Sequence, residues 1–255
     1  MKRILILCLS VIIVACTTEE SNTNTPNVDN TLENKQPTGS SSNDLLSDDT
    51  FTSMVLEIVY VDGFEPTQTA INNLVNFIEE RSFKPNGITI DMRSIPSPGT
   101  SPYTNEDIVT IEDNNRTRYN TNTQIAVWAF FADGQSASNT ENSVVLGTAY
   151  RNTSFVIYEE TIQNLTDGTF GPSQSVLEST VMLHEFGHIY GLTNLGAPLQ
   201  SDHEDQDNPR HCDVEDCLMY FQSETGSGVM NMVSGGNAPQ LDAQCIADLQ
   251  ANGGK

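Results

Sequence analysis

The chain has 255 residues, with 34 acidic against 11 basic side chains and a formal net charge of -23 at pH 7. That excess of acid repels phosphate backbones and anionic bilayers, which excludes nucleic acid and an acidic membrane surface as partners. The length admits one large domain or two small ones.

The first residues read as an export signal. Lys2 and Arg3 precede a short apolar run, Ile4 to Val14, too brief to span a bilayer as a mature helix. It ends Ile13-Val14-Ala15-Cys16, which resembles a bacterial lipobox. The resemblance implies cleavage before Cys16 and lipidation of its thiol. The plain alternative is an ordinary secretory signal with a chance cysteine. Small Ala15 and the polar sequence beyond Cys16 favour the lipoprotein. Thr17-Thr18-Glu19-Glu20 is similar to the surface-export tether of some diderm lipoproteins. Residues 17 to about 50 are Thr, Asn, Ser, Asp and Glu with little to bury, so a disordered tether is expected. The expected organisation is a signal over 1–15, a lipidated Cys16 with tether over 16–50, and one domain over 51–255. An outer-membrane lipoprotein facing the cell surface or the periplasm follows, expected as a monomer.

Order is expected from Phe51. Met54 to Val61 is apolar on both faces apart from Glu57, which suits a buried strand. Pro66 fits the first turn of a helix. Ile71, Leu74, Val75 and Ile78 then form one apolar helical stripe ending near Ser82. Ile88 to Met92 alternates as a second strand, so a parallel pair with a crossover helix is expected. Residues 104–113 predict a short helix, and Gln124 to Phe131 a third strand. Val144 to Tyr150 and Ser154 to Tyr158 flank a three-residue turn, which predicts an antiparallel hairpin and a mixed sheet with one strand reversed near its edge. Ser175 and Glu178 have capping-box spacing ahead of a helix that continues past residue 184. The whole reads as α+β, with an α/β-like core.

His184-Glu185-Phe-Gly-His188-Ile-Tyr-Gly191 carries the chemistry. His184 and His188 are one helical turn apart and project from one face, as two corners of a tetrahedral zinc site require. Glu185 points about 100° further round the helix, free to reach a water beside the metal. This is the His-Glu-x-x-His arrangement of zinc hydrolases. All four histidines of the chain lie between 184 and 211. A helical histidine that merely fills the core is the bland reading, and that clustering lowers it. Gly191 can end the helix in a left-handed conformation and send the chain back toward the metal.

A catalytic zinc takes three protein ligands and a water. The downstream candidates are His211 and His203. In metzincins the helix stops at a glycine and a third histidine follows; here that near position is Asn194, a poor ligand. Further on, His211-Cys212-Asp-Val-Glu-Asp-Cys217-Leu-Met219 resembles the archaemetzincin signature, so the chain looks like an archaemetzincin with residues 193–210 inserted. The resemblance covers roughly residues 51–220, with specific motifs from 184 to 220. It implies a metzincin fold: a twisted mixed sheet, a backing helix, an active-site helix and a Met-turn at Met219. It favours His211 over His203 as third ligand. It also implies a second zinc on four cysteines, whereas here only Cys212, Cys217 and Cys245 remain, with Asp248 where the last would stand. A Cys212–Cys217 disulfide is an equal alternative in an oxidising compartment. Calcium is a further candidate, because Asp202, Glu204, Asp205, Asp207, Asp213, Glu215 and Asp216 crowd one stretch.

The expected activity is zinc-dependent endopeptidase cleavage of a protein or peptide. Zinc would acidify its water and polarise the scissile carbonyl. Glu185 would move the proton from water to the leaving amine. Tyr190 or Tyr220 could steady the oxyanion, and Leu146 to Ala149 would be the edge strand that pairs with substrate. Two rivals stand beside it. One is a non-catalytic, zinc-stabilised lipoprotein binding peptide or glycan, which has no need of Glu185. The other is a gluzincin-type peptidase with a Glu ligand.

Overall fold

The computed structural model describes residues 30–168, 172–233 and 236–255. Cys16 and the expected export signal lie outside the described residues.

Five strands form one sheet in the order β2-β1-β3-β5-β4. They are β1 Ser53–Val61, β2 Ile88–Ile95, β3 Gln124–Phe131, β4 Gly147–Arg151 and β5 Ser154–Ile157. β1 pairs parallel with β2 and with β3, and β3 pairs parallel with β5. β4 runs antiparallel to β5, as the short turn between them dictates, and takes the sheet edge. Glu57, the one charge in β1, is fully buried. Its carboxylate accepts the amides of Thr117 and Arg118 and pairs with Arg93 at 2.7 Å, which offsets the cost of burial.

Helices cover both faces. Among the described residues, α1 is Ser42–Leu46, α2 Gln68–Arg81, α3 Asn105–Asn115, α4 Glu159–Thr166, α5 Gln174–Ile189, α6 Gly226–Met232 and α7 Ala243–Ala251. α2 buries Ala70, Ile71, Leu74, Phe77 and Ile78. Its cap is Thr67, whose hydroxyl accepts the Ala70 amide, so Pro66 stands just before the helix rather than in its first turn. α2 packs on α5 through Phe77 against Phe186 and Tyr190. α3 covers the opposite sheet face with Ile108 and Ile111 against Trp128 and Phe130. It is closed by a reciprocal capping box between Thr104 and Asp107.

Two sequence expectations are corrected. The capping box on α5 is absent: Ser173 is the cap residue, and its hydroxyl meets Ser175 Oγ at 2.8 Å rather than a backbone amide of the helix. Glu178 instead accepts the Thr67 amide at 2.9 Å, a long-range partner that outcompetes the local one. The tether expected through residue 50 gives way to packed chain from Asn30. A 3-10 turn over Asn30–Lys35 carries Asn34 into the interior. The Asn34 amide donates to Asn120 Oδ1, Ala126 O and Thr153 Oγ1 at 2.8–3.0 Å, and its carbonyl accepts the Asn120 amide. Leu45 and Leu46 are wholly buried. A polar segment folds here because one asparagine bonds to three buried residues and two leucines find the core.

Candidate metal centre and active site

His184, Glu185 and His188 lie in the last two turns of α5, and all three are buried. Gly191, at φ +79, ends the helix: its amide and that of Leu192 close on His188 O and Gly187 O. A Cβ there would lie 2.7 Å from Ala197 N, so glycine alone lets the chain double back. The return path brings His211 to the helical pair, its ring centroid 5.3 Å from His184 and 5.1 Å from His188. The carboxylate of Glu224, on the turn Phe221–Glu224, joins them. One ligand atom from each of His184, His188, His211 and Glu224 lies within 4.8 Å of all the others.

Hydrogen bonds on the far side of the rings set their orientation. His184 Nδ1 donates to Leu218 O at 2.7 Å, and His211 Nδ1 to Pro209 O at 3.2 Å. Both rings therefore turn a bare Nε2 inward. His188 Nε2 stands 3.1 Å from His184 Nε2. One shared proton can bridge that pair, but His188 Nδ1, His211 Nε2 and both Glu185 oxygens then stay buried without a partner. Extra protons are opposed: burial, with the neighbouring imidazole of His211, brings His184 down to about 4, and burial drives His188 well below its usual value. A divalent cation satisfies these nitrogens without protonating them, so the donor set fits zinc.

Burial, with the charge of Glu224 behind it, pushes Glu185 well above the usual carboxylate range. Burial also raises Glu224, but the facing rings of His211 and His184 outweigh it and hold its carboxyl low. Edge strand β4 crosses directly over Glu185. A Cβ on Gly147 would sit 2.7 Å from Glu185 Oε1, so this glycine serves the helix–strand approach rather than substrate. Met219 lies beneath α5, where a Cβ on Gly187 would come within 2.3 Å of its sulfur. Two cavities, of about 280 and 560 Å³, meet at Pro209, His211 and Glu224. Thr38, from the N-terminal segment, walls the smaller one and donates to Ala149 O at 3.3 Å.

His203 lies elsewhere, with the cysteines. Its Nε2 donates to Asp248 Oδ2 at 2.8 Å, and its Nδ1 faces Cys212 Sγ at 3.5 Å. Cys217 Sγ is 3.7 Å from Cys245 Sγ. His203, Cys212, Asp242 and Cys245 form a second group able to hold a metal. Cys212, Cys217 and Cys245 are all free thiols, so the expected Cys212–Cys217 disulfide is not formed. The cysteine side chains gather around Cys217 instead: thiol donation from Cys212 and Cys245 draws Cys217 down to about 3. The same contact pushes Cys212 up to about 12 and raises Cys245. Asp248 stands behind His203, not in the fourth thiol's place.

The crowded acids of 202–216 hold their own loop together. Asp205 accepts the Asp207 and Asn208 amides, and Glu204 accepts the Arg210 amide. Tyr190 is buried with its hydroxyl on Ser82, and the Tyr220 ring lies tilted against Phe221, centroids 4.7 Å apart. The sequence reading missed Glu224 and Thr38. Neither sits at a motif spacing, and each reaches the cleft only through the path of a loop.

No family model and no curated protein matches the chain. Among solved structures, archaemetzincin from Methanopyrus kandleri matches with a TM-score of 0.50 at 18% identity, over 79% of this chain and 96% of that one. Metalloproteinase-II from Bacteroides fragilis matches with a TM-score of 0.39 at 13% identity, over 81% of this chain and 54% of that one. The five-stranded, mostly parallel sheet with its helices is thus the fold of an archaemetzincin.

Proposed function

We propose that the chain is a zinc-dependent endopeptidase of archaemetzincin type, exported and held at an outer membrane through lipid on Cys16. The observation that carries the catalytic reading is the convergence of three imidazoles, two of them with Nε2 bared by second hydrogen bonds, beside an unpartnered buried carboxylate. His184, His188 and His211 hold the metal. Bound there, zinc supplies Lewis-acid polarisation of the scissile carbonyl and an acidified water. Glu185 accepts the water's proton and returns it to the leaving amine. Its raised affinity for a proton suits that shuttle. Cavities on both sides of His211 give an extended peptide room on either side of the cut.

A second zinc fits His203, Cys212, Asp242 and Cys245, with Cys217 Sγ 3.7 Å from Cys245 Sγ. Asp248 fixes the His203 ring with Nδ1 toward the sulfurs, the carboxylate–histidine arrangement common around bound metals. The missing fourth thiol is thereby replaced by an imidazole with its own orienting partner. This centre backs the segment that carries Met219 and contributes folding energy.

The test is zinc content and casein cleavage for wild type, Glu185→Gln and His211→Ala. Glu185→Gln should keep its zinc and lose about 100-fold or more in rate. His211→Ala should drop from two zincs per chain to one and lose the rate with the one that goes. Wild-type rates in Glu185→Gln would remove the catalytic reading and leave a metal-stabilised binding protein.

A further inference from the structure

We propose that Glu224 supplies a fourth protein donor to the metal of His184, His188 and His211, so that the resting centre is closed and substrate must displace a carboxylate to reach it. The inference rests on the reading of those three histidines as a metal centre.

Three observations carry it. First, the Glu224 oxygens face the same point as the imidazoles. Oε1 is 3.3 Å from His211 Nε2 and Oε2 is 3.8 Å from His184 Nε2. The pairing with His211 is not a hydrogen bond, since His211 Nε2 has no bonded partner. With His211 Nδ1 donating to Pro209 O, a bare nitrogen and a carboxylate oxygen confront each other. A proton on Nε2 or a divalent cation relieves that contact, and the two other imidazoles turned to the same point favour the cation.

Second, the backbone of Glu224 is fixed. Its carbonyl accepts the Leu146 amide at 2.9 Å, and the Gly226 amide donates to Val144 O at 3.0 Å. The segment is thus stitched to the residues that lead into β4, and only the side chain is free to turn. It is 26% exposed, so it has somewhere to go.

Third, Glu224 stands where the two cavities meet. Rotating it outward frees a coordination position and joins the cavities in one motion. A peptide that spans both sides of the metal requires that rotation. Catalytic zinc sites keep one position for water or substrate, whereas four protein donors make a closed site. Glu224 lets one centre take both forms.

The experiment uses the full chain loaded with Co(II), whose visible bands report its coordination, titrated with imidazole as a neutral probe ligand. The spectrum of His184→Ala is subtracted so that only this centre is read. In wild type the probe has to displace Glu224. In Glu224→Gln and Glu224→Ala it meets an open position and should saturate at about tenfold lower concentration, as when about a tenth of wild-type molecules are open. Equal imidazole affinity in wild type and both variants would overturn the proposal. If His184→Ala leaves the cobalt bands unchanged, the metal-centre reading itself falls. Glu224→Gln preserves volume and Glu224→Ala removes the side chain, so agreement between them excludes a packing artefact.

Discussion

Asp248 and His203 are joined by a 2.8 Å hydrogen bond with neither residue exposed to solvent. Asp248→Ala should leave the ring free to rotate and weaken the second metal by about 10–100-fold, while the first stays bound. Metal stoichiometry by elemental analysis after mild chelation checks this: one zinc retained rather than two. A second residue-scale prediction concerns Glu159. Its carboxylate shares Gln174 with Glu178, and burial with that neighbouring charge lifts it to about 9. A raised carboxyl pKa means that the folded state holds a proton which the unfolded chain releases. The stability this gives is complete below the ordinary pKa of 4.5 and is lost as pH rises through about 9. Thermal midpoints of the wild type should therefore fall from pH 6 to about 9, and those of Glu159→Gln should fall less. At this scale the helical pair His184 and His188 was legible, because one periodicity places both. The partners Glu224 and Asp248 were not: one arrives on the turn Phe221–Glu224 and the other on α7, by chain paths that no spacing encodes.

Elements carry a different set of constraints. The strip Gly147–Arg151 lies so close to α5 that a methyl on Gly147 would strike Glu185 and Val181, both at 2.7 Å. Gly147→Ala should lower kcat severely by displacing the base, while zinc content stays near wild type. A normal kcat would mean that the strand has slack there. β1, α2, β3 and the hairpin of β4 with β5 followed directly from apolar pattern and turn length. The start of α5 did not: Ser175 and Glu178 satisfy the local rule, yet Thr67 offers Glu178 a buried partner across the fold. Local capping signals lose to tertiary contacts of that kind.

For the whole molecule, the N-terminal segment belongs to the domain. Leu45 is wholly buried, and Leu45→Ala should cost about 2–5 kcal/mol. Asn34→Ala would leave the buried Asn120 backbone amide without its acceptor and should cost about 1–3 kcal/mol. Urea denaturation with unchanged slope would measure both; loss under about 0.5 kcal/mol would make the segment a passive appendage. Composition hid it because polar residues with few leucines read as unfolded chain. What rescues the segment is partners near 120 and 153, far off in sequence.

Packing of the described chain from Asn30 onward also sets a leash. With lipid on Cys16, the backbone from residue 16 to residue 30 reaches at most about 50 Å when fully drawn out. A strongly anionic body would then work within roughly one protein diameter of the bilayer. Its targets would be neighbours in the same membrane or molecules pressed against it, rather than anything adrift in the medium.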